Sequence, residues 1–235
     1  MFTVFDSRVR YSETDRNGTL SVKSLFDYLQ DCCTFQSEDL GEGIAVLQER
    51  NRAWILASWD IEIVRPPQRG EKIRIWTWPH YFKRFFAYRG HAVESEDGTV
   101  LVRGNSIWTF VDTESGKALN IPQEEIDLYS EEDRMDLPVG KRKVSCRGDA
   151  MTLDGFRILA HQIDINGHMN NSQYVLLAAD CLPANFSYRR IRVEYAREAV
   201  LGDLVIPIVY PSEKCIVVDL TSEDGKRFAA VEFTA

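Results

Sequence analysis

The chain has 235 residues, 44% hydrophobic and 27% charged, the balance of a globular protein with one large or two small domains. Its formal charge of −8 excludes general affinity for nucleic acid, while a local basic patch could still serve an acidic partner. No apolar run is long enough to span a bilayer, residues 1–6 lack a signal-peptide pattern, and the five cysteines match no zinc spacing, so a cytoplasmic protein without metal or cofactor is expected.

In chain order, residues 3–9 read as a short extended segment. The polar stretch Asp15-Arg16-Asn17-Gly18 reads as a turn. Ser21 can cap a helix whose Val22, Leu25, Phe26, Leu29, Cys32 and Cys33 fall at helical spacing. A second helical candidate, 43–50, reads as a helix-to-strand connection ahead of a lid over a ligand channel. Strands are predicted at 54–65, 72–78, 85–94 and 100–111, the last two joined by the turn Ser95-Glu96-Asp97-Gly98. Residues 127–147, with Glu131-Glu132-Asp133-Arg134 and Lys141-Arg142-Lys143, have little apolar periodicity and read as a linker.

The remainder repeats the first part. Asp15-Arg16-Asn17-Gly18-Thr19-Leu20 recurs 149 residues later as Asp164-Ile165-Asn166-Gly167-His168-Met169, and Asp31-Cys32 as Asp180-Cys181 at the same shift. Glu62-Ile63-Val64-Arg65-Pro66 recurs as Glu194-Tyr195-Ala196-Arg197-Glu198, and Gly70-Glu71 as Gly202-Asp203, both shifted by 132. Ser95-Glu96-Asp97-Gly98 recurs as Ser222-Glu223-Asp224-Gly225, shifted by 127. Hence an extended segment is predicted at 155–161. A helix capped by Asn170 or Asn171 follows, with Tyr174, Leu177, Ala178 and Cys181 as its stripe and Pro183 as its stop. Strands follow at 189–197, 204–210, 215–221 and 228–233. Each half thus reads as strand, helix, then four strands in an antiparallel meander. The fold class is α+β, a double hotdog of two tandem helix-on-antiparallel-sheet repeats, divided as 1–128, a linker 129–150, and 151–235.

The copies differ in chemistry. Where the first has Thr19 and Pro66, the second has His168 and Glu198, two groups that move protons. Asp164, Asn166 and His168 alternate just before a helix, so in extended backbone all three would face one cleft. The helix start at Asn170 and Asn171 offers backbone N–H groups for a developing oxyanion. Taken singly, Asp164 and Asn166 are turn residues, His168 a surface or capping histidine, and Glu198 a solvated strand-end charge. Gathered in one copy only, they point to catalysis, because a fold needs both turns and a reaction needs one site. Cys32 and Cys181 read as buried and structural, His161 as a neighbour of the site at most, and His80 and His91 show no partner pattern.

The run from Asp164 to Tyr174, followed by Val193-Glu194-Tyr195-Ala196-Arg197-Glu198, resembles the acyl-acyl carrier protein thioesterases of plant plastids and bacteria. That family shows Asp-Xaa-Asn-Xaa-His-Xaa-Asn-Asn-Xaa-Xaa-Tyr and Glu-Tyr-Arg-Arg-Glu at this spacing, and the likeness covers nearly the whole chain. It implies Asp164, Asn166, His168 and Glu198 as the catalytic set. It also implies a C-terminal catalytic domain, and an N-terminal domain that binds the acyl chain and governs its length. In plant members a cysteine follows the glutamate; here Ala199 stands there, so activated water replaces a cysteine nucleophile. The implied reaction is hydrolysis of fatty acyl-acyl carrier protein to free fatty acid. The implied partner is the acidic carrier, with a further pairing into a homodimer left open.

Residues such as Leu25, Phe26, Leu29, Trp54, Trp59, Trp76 and Trp78 could line an acyl tunnel, although each alone reads as ordinary core. Docking candidates for the carrier are Lys83-Arg84, Lys141-Arg142-Lys143 with Arg147, and Arg189-Arg190. Solvated faces explain such runs more often. An acyl-CoA thioesterase of the same fold and a non-catalytic acyl-thioester sensor are the competing readings. Retention of His168 and Glu198 counts against the sensor. A dehydratase would want its histidine and acid split across the two halves.

Overall fold

The computed structural model describes residues 2–132, 135, 137 and 140–235. Its contacts divide into two compact units, residues 1–57 with 61–140, and 58–60 with 141–235.

The first unit contains β1 (Thr3–Arg8), α1 (Val22–Asp39), α2 (Ile44–Glu49), β2 (Arg52–Ile63, of which residues 58–60 count with the second unit), β3 (Lys72–Lys83), β4 (Phe86–Ser95), β5 (Val100–Asp112) and α3 (Gln123–Tyr129). Ser21 caps α1, its hydroxyl accepting the Ser24 N–H at 3.2 Å. The buried face of α1 holds Leu25, Phe26, Leu29, Cys32 and Cys33, so the predicted stripe is the packed one. This face meets β1 and β3, with the Cys33 thiol 3.6 Å from Thr77 Oγ1 on β3. Each fully buried aliphatic there contributes roughly 1.5–3 kcal/mol. On β3, Trp78 lies across Gly90 of β4: a Cβ at Gly90 would stand 2.3 Å from the indole, so no other residue fits.

The second unit contains β6 (Met151–Thr152), β7 (Phe156–Arg157), α4 (Asn171–Asp180), β8 (Arg190–Tyr195), β9 (Leu204–Pro211), β10 (Cys215–Thr221) and β11 (Arg227–Thr234). Asn170 caps α4, its Oδ1 accepting the Ser172 N–H at 2.9 Å and the Ser172 hydroxyl at 2.8 Å. α4 packs on β10 and β11 and buries Tyr174, Val175 and Ala178.

The predicted four-strand meander is only partly correct. In the first unit the strand order is β1-β3-β4-β5-β2, and in the second β8-β11-β10-β9-β6, with β7 also on β9. The last three long strands of each copy form the meander; β2 instead lies next to β5, and β8 next to β11, the last strand of each meander. The segment that follows each of them is therefore a crossing rather than a hairpin, and it runs past the turn that precedes the helix. The bridges Thr19–Gln68 and His168–Val200 record that passage. Between the strands of the meander the expected tight turns form, with Gly98 and Gly225 at φ 84° and 75°.

Other expectations shift locally. Of the extended segment 155–161, only Phe156–Arg157 pairs, and Ala160–Gln162 is a 3-10 turn. The 43–50 candidate is α2, a connection that sets Leu47 in a cluster with Phe110 and Ile121. α3 lies where acidic residues hid a buried face, made by Glu125 itself and Tyr129. Asp133 and Arg134 of the expected linker lie outside the described residues. Its end is docked on the second unit: Val144 is buried and donates its N–H to Glu194 at 2.9 Å. Among the described residues no helix is long and apolar enough to cross a membrane, and no group of three or more His, Cys, Asp or Glu residues could hold a metal ion.

Candidate active site

The turn 163–170 repeats three closing backbone bonds of 14–21. Asp15 N–H donates to Thr19 O at 2.8 Å, as Asp164 N–H does to His168 O at 2.8 Å. Leu20 N–H donates to Pro67 O at 2.8 Å, and Met169 N–H to Ala199 O at 2.8 Å. Ser21 N–H reaches Glu13 O at 2.8 Å, and Asn170 N–H reaches Gln162 O at 2.9 Å. The sequence shifts of 149 and 132 therefore pair positions that share these backbone bonds.

His168 and Glu198 are brought together. His168 Nε2 stands 3.4 Å from Glu198 Oε2, and their side chains are 36% and 54% exposed. The crossing after β8 delivers Glu198, and the bridge from His168 to Val200 fixes its register. The pair is open to water, and the cap of α4, Asn170, lies two residues beyond His168.

Asp164 stands differently from the expectation. Residues 164–167 form a turn rather than extended backbone, with Gly167 at φ 80°, so strand-like alternation does not orient Asp164, Asn166 and His168. Asp164 Oδ1 accepts the N–H groups of Asn166 at 2.8 Å and His168 at 3.2 Å. Asp15 does the same in the first copy, with Asn17 at 2.9 Å and Thr19 at 3.0 Å. Asp164 thus holds the backbone of His168, the work its twin does for a threonine. Asn166 is exposed at the tip. Asn170 is the cap of α4 and its N–H is already given to Gln162, so its own amide does not serve an oxyanion. Asn171 begins α4, and its carbonyl accepts the Tyr195 hydroxyl at 2.9 Å.

Beyond the expected set, comparison of equivalent positions shows a changed rim. Arg10, Arg16, Gln68 and Arg69 correspond to Leu159, Ile165, Val200 and Leu201, which are 55%, 82%, 44% and 61% exposed. The turn that carries His168 is thereby collared by exposed apolar side chains. The shifts that exposed His168 and Glu198 in the sequence would also have exposed this collar.

Of the docking candidates, Arg190 grips Asp60 through two 2.7 Å bonds, and the backbone carbonyls of Lys141 and Lys143 accept from Arg192, which also pairs with Glu232. Thiols near the second sheet are held neutral: burial pushes Cys146 and Cys181 up to about 11.

Comparison with known proteins gives one family across both units. Residues 4–129 match the model of the acyl-ACP thioesterase N-terminal domain, and residues 147–229 that of the C-terminal domain. A chloroplastic palmitoyl-acyl carrier protein thioesterase of Gossypium hirsutum is 25% identical over 207 residues, covering 81% of this chain and 50% of that protein. The chain spans about half the length of the first curated relatives it matches. Among solved structures, a putative oleoyl thioesterase from Lactobacillus plantarum superposes with a TM-score of 0.88 at 25% identity, covering 99% of this chain and 95% of that one. An acyl-ACP thioesterase from Bacteroides thetaiotaomicron gives a TM-score of 0.91 at 24% identity, covering 99% and 97%, and so shares the hotdog-type fold.

Proposed function

Since the chain belongs to the acyl-ACP thioesterase family, we propose that it hydrolyses the thioester of fatty acyl chains borne on acyl carrier protein, releasing free fatty acid and ending chain elongation. The observation that carries this reading is the contact of His168 with Glu198, present in one copy of a duplicated turn and replaced by Thr19 and Pro66 in the other.

In this mechanism the thioester carbonyl lies at the N-terminus of α4, whose partial positive charge favours the oxyanion. Glu198 and His168 take a proton from water, whose oxygen attacks the carbonyl carbon. The tetrahedral intermediate then expels the pantetheine sulfur, which leaves as a thiol with a proton from His168. No side-chain nucleophile is needed: position 199 is alanine, and the neutral thiols of Cys146 and Cys181 are poor attackers. Asp164 acts by holding the His168 backbone, and Asn166 positions substrate or water from the turn tip. The first unit receives the acyl chain, and the reaction belongs in the cytoplasm, where five free cysteines are at home.

The test is thiol release from matched acyl-carrier and acyl-CoA substrates, with the freed acids identified. Carrier-bound substrates should be cleaved with the higher kcat/KM. Equal or better rates on CoA would move the assignment to the acyl-CoA thioesterases. Binding without cleavage of either would leave the sensor.

A further inference from the structure

Two tyrosines distinguish the C-terminal turn from its twin. At the shift of 149, Tyr174 on α4 corresponds to Leu25; at the shift of 132, Tyr195 at the end of β8 corresponds to Ile63. The N-terminal turn closes with the same three backbone bonds and an equivalent bridge without either phenol, and it adds a further bond, from the Arg69 N–H to Gly18 O at 2.9 Å. Those three shared bonds therefore form without a phenol.

Tyr174 is buried, and its hydroxyl accepts the Ala199 N–H at 2.8 Å. Ala199 is itself fully buried, and its carbonyl accepts the Met169 N–H at 2.8 Å. Met169 follows His168 directly, and Ala199 follows Glu198. Both peptide groups of residue 199 are thus used to fasten the backbone beside the two reactive side chains. The N-terminal copy lacks half of this clamp by composition: Pro67 stands at the position of Ala199 and has no N–H, and Leu25 has nothing to accept one with. Donor and acceptor differ together between the copies, alongside His168 and Glu198. Burial pushes the Tyr174 phenol up to about 12, against the Ala199 bond that lowers it, and the charges of Glu198 and Asp164 push the same way. It therefore remains a neutral hydroxyl. Tyr195 braces the ring in a T-shaped contact at 5.7 Å, and its own hydroxyl ties down the first residue of α4.

We propose that Tyr174 is a positioning residue for the hydrolytic pair, holding Ala199 so that Glu198 stays within reach of His168. The assignment rests on the hydrolase reading above. The competing view is that Tyr174 does no more than satisfy a buried N–H.

The experiment compares wild type, Tyr174→Phe, and the double variant Tyr174→Leu/Ala199→Pro, which carries the Leu–Pro pair already tolerated by the N-terminal turn. All are measured on the same acyl thioester, per folded protein at 20 °C. Tyr174→Phe should lower kcat about ten- to a hundredfold with KM changed less than about twofold, because displacing one reactive group by a fraction of an ångström is costly. Its melting temperature should fall by roughly 3–10 °C for the orphaned N–H. The double variant removes donor and acceptor together, so its melting temperature should recover while kcat stays low. A kcat within about twofold of wild type in either variant would overturn the proposal while leaving the hydrolase reading in place. A wild type inert towards carrier-bound, CoA-bound and small thioesters would remove that reading, and this one with it.

Discussion

His168 and Glu198 lie thirty positions apart in the chain, yet Nε2 of one stands 3.4 Å from Oε2 of the other. The intervening chain is a helix, a strand and a crossing, and the crossing returns at the mouth of the helix. If this pair handles the protons of hydrolysis, His168→Ala and Glu198→Ala should each reduce kcat by about a hundred- to ten-thousandfold. Both side chains are substantially exposed, so circular dichroism and melting temperature should scarcely change. Near-wild-type turnover in either variant would exclude the pair from the chemistry.

Asp164 and Asp15 allow an internal control. Each accepts two backbone N–H groups of its own turn, so Asp→Ala at either should cost about 1 kcal/mol of stability by denaturant titration. Only Asp164→Ala should also lower kcat, since only that turn orients a histidine. Equal kinetic effects of the two substitutions would show that Asp164 has no special bearing on the site.

Glu125 on α3 should give the first unit a pH-dependent stability. Burial raises its carboxyl to about 7, with Glu42 pushing the same way and Arg50 opposing. A raised folded-state value means that the neutral acid is favoured in the native protein. Its stabilising contribution is complete below the unfolded value near 4.5 and is lost as pH rises through about 7. Glu125→Gln should therefore be more stable than wild type at pH 8, by on the order of 1–2 kcal/mol, and nearly equal to it at pH 4. Parallel unfolding curves at the two pH values would contradict this.

Arg227 is the cation of a buried cluster in the second unit. It holds Asp219 through bonds of 2.6 and 2.8 Å and reaches Glu194 at 3.4 Å. Arg227→Met would leave two poorly solvated carboxylates without a counter-ion and should cost about 3–5 kcal/mol. The double change Arg227→Met/Asp219→Leu should recover part of that loss, which urea melts would measure.

Much of this was legible in the sequence because duplication supplies its own comparison. The turn residues, the Ser21 cap and the strands of the meander follow from local chemistry that acts over a few residues, and they lie close to where the pattern puts them. Strand order did not follow, because the placement of β2 beside β5 and of β8 beside β11 depends on long-range pairing that no local alternation encodes. Asp164 was read as facing the cleft because three polar residues at alternate positions look the same in a strand and in an Asx turn; only the φ of Gly167 separates them. Tyr174 was read as helix stripe, which it is, but its hydroxyl reports on Ala199, and that contact joins residues 25 apart.

The consecutive prolines 66 and 67 make the imbalance between the halves hard to undo. One removes the carboxylate position and the other removes the peptide hydrogen beside it, while Thr19 and Leu25 withhold the imidazole and the phenol. Reviving the silent turn would require four coordinated replacements, none rewarded until the rest are in place. The N-terminal half is thereby released from any need to preserve reactivity, and its surface can drift toward other duties while its partner stays constrained.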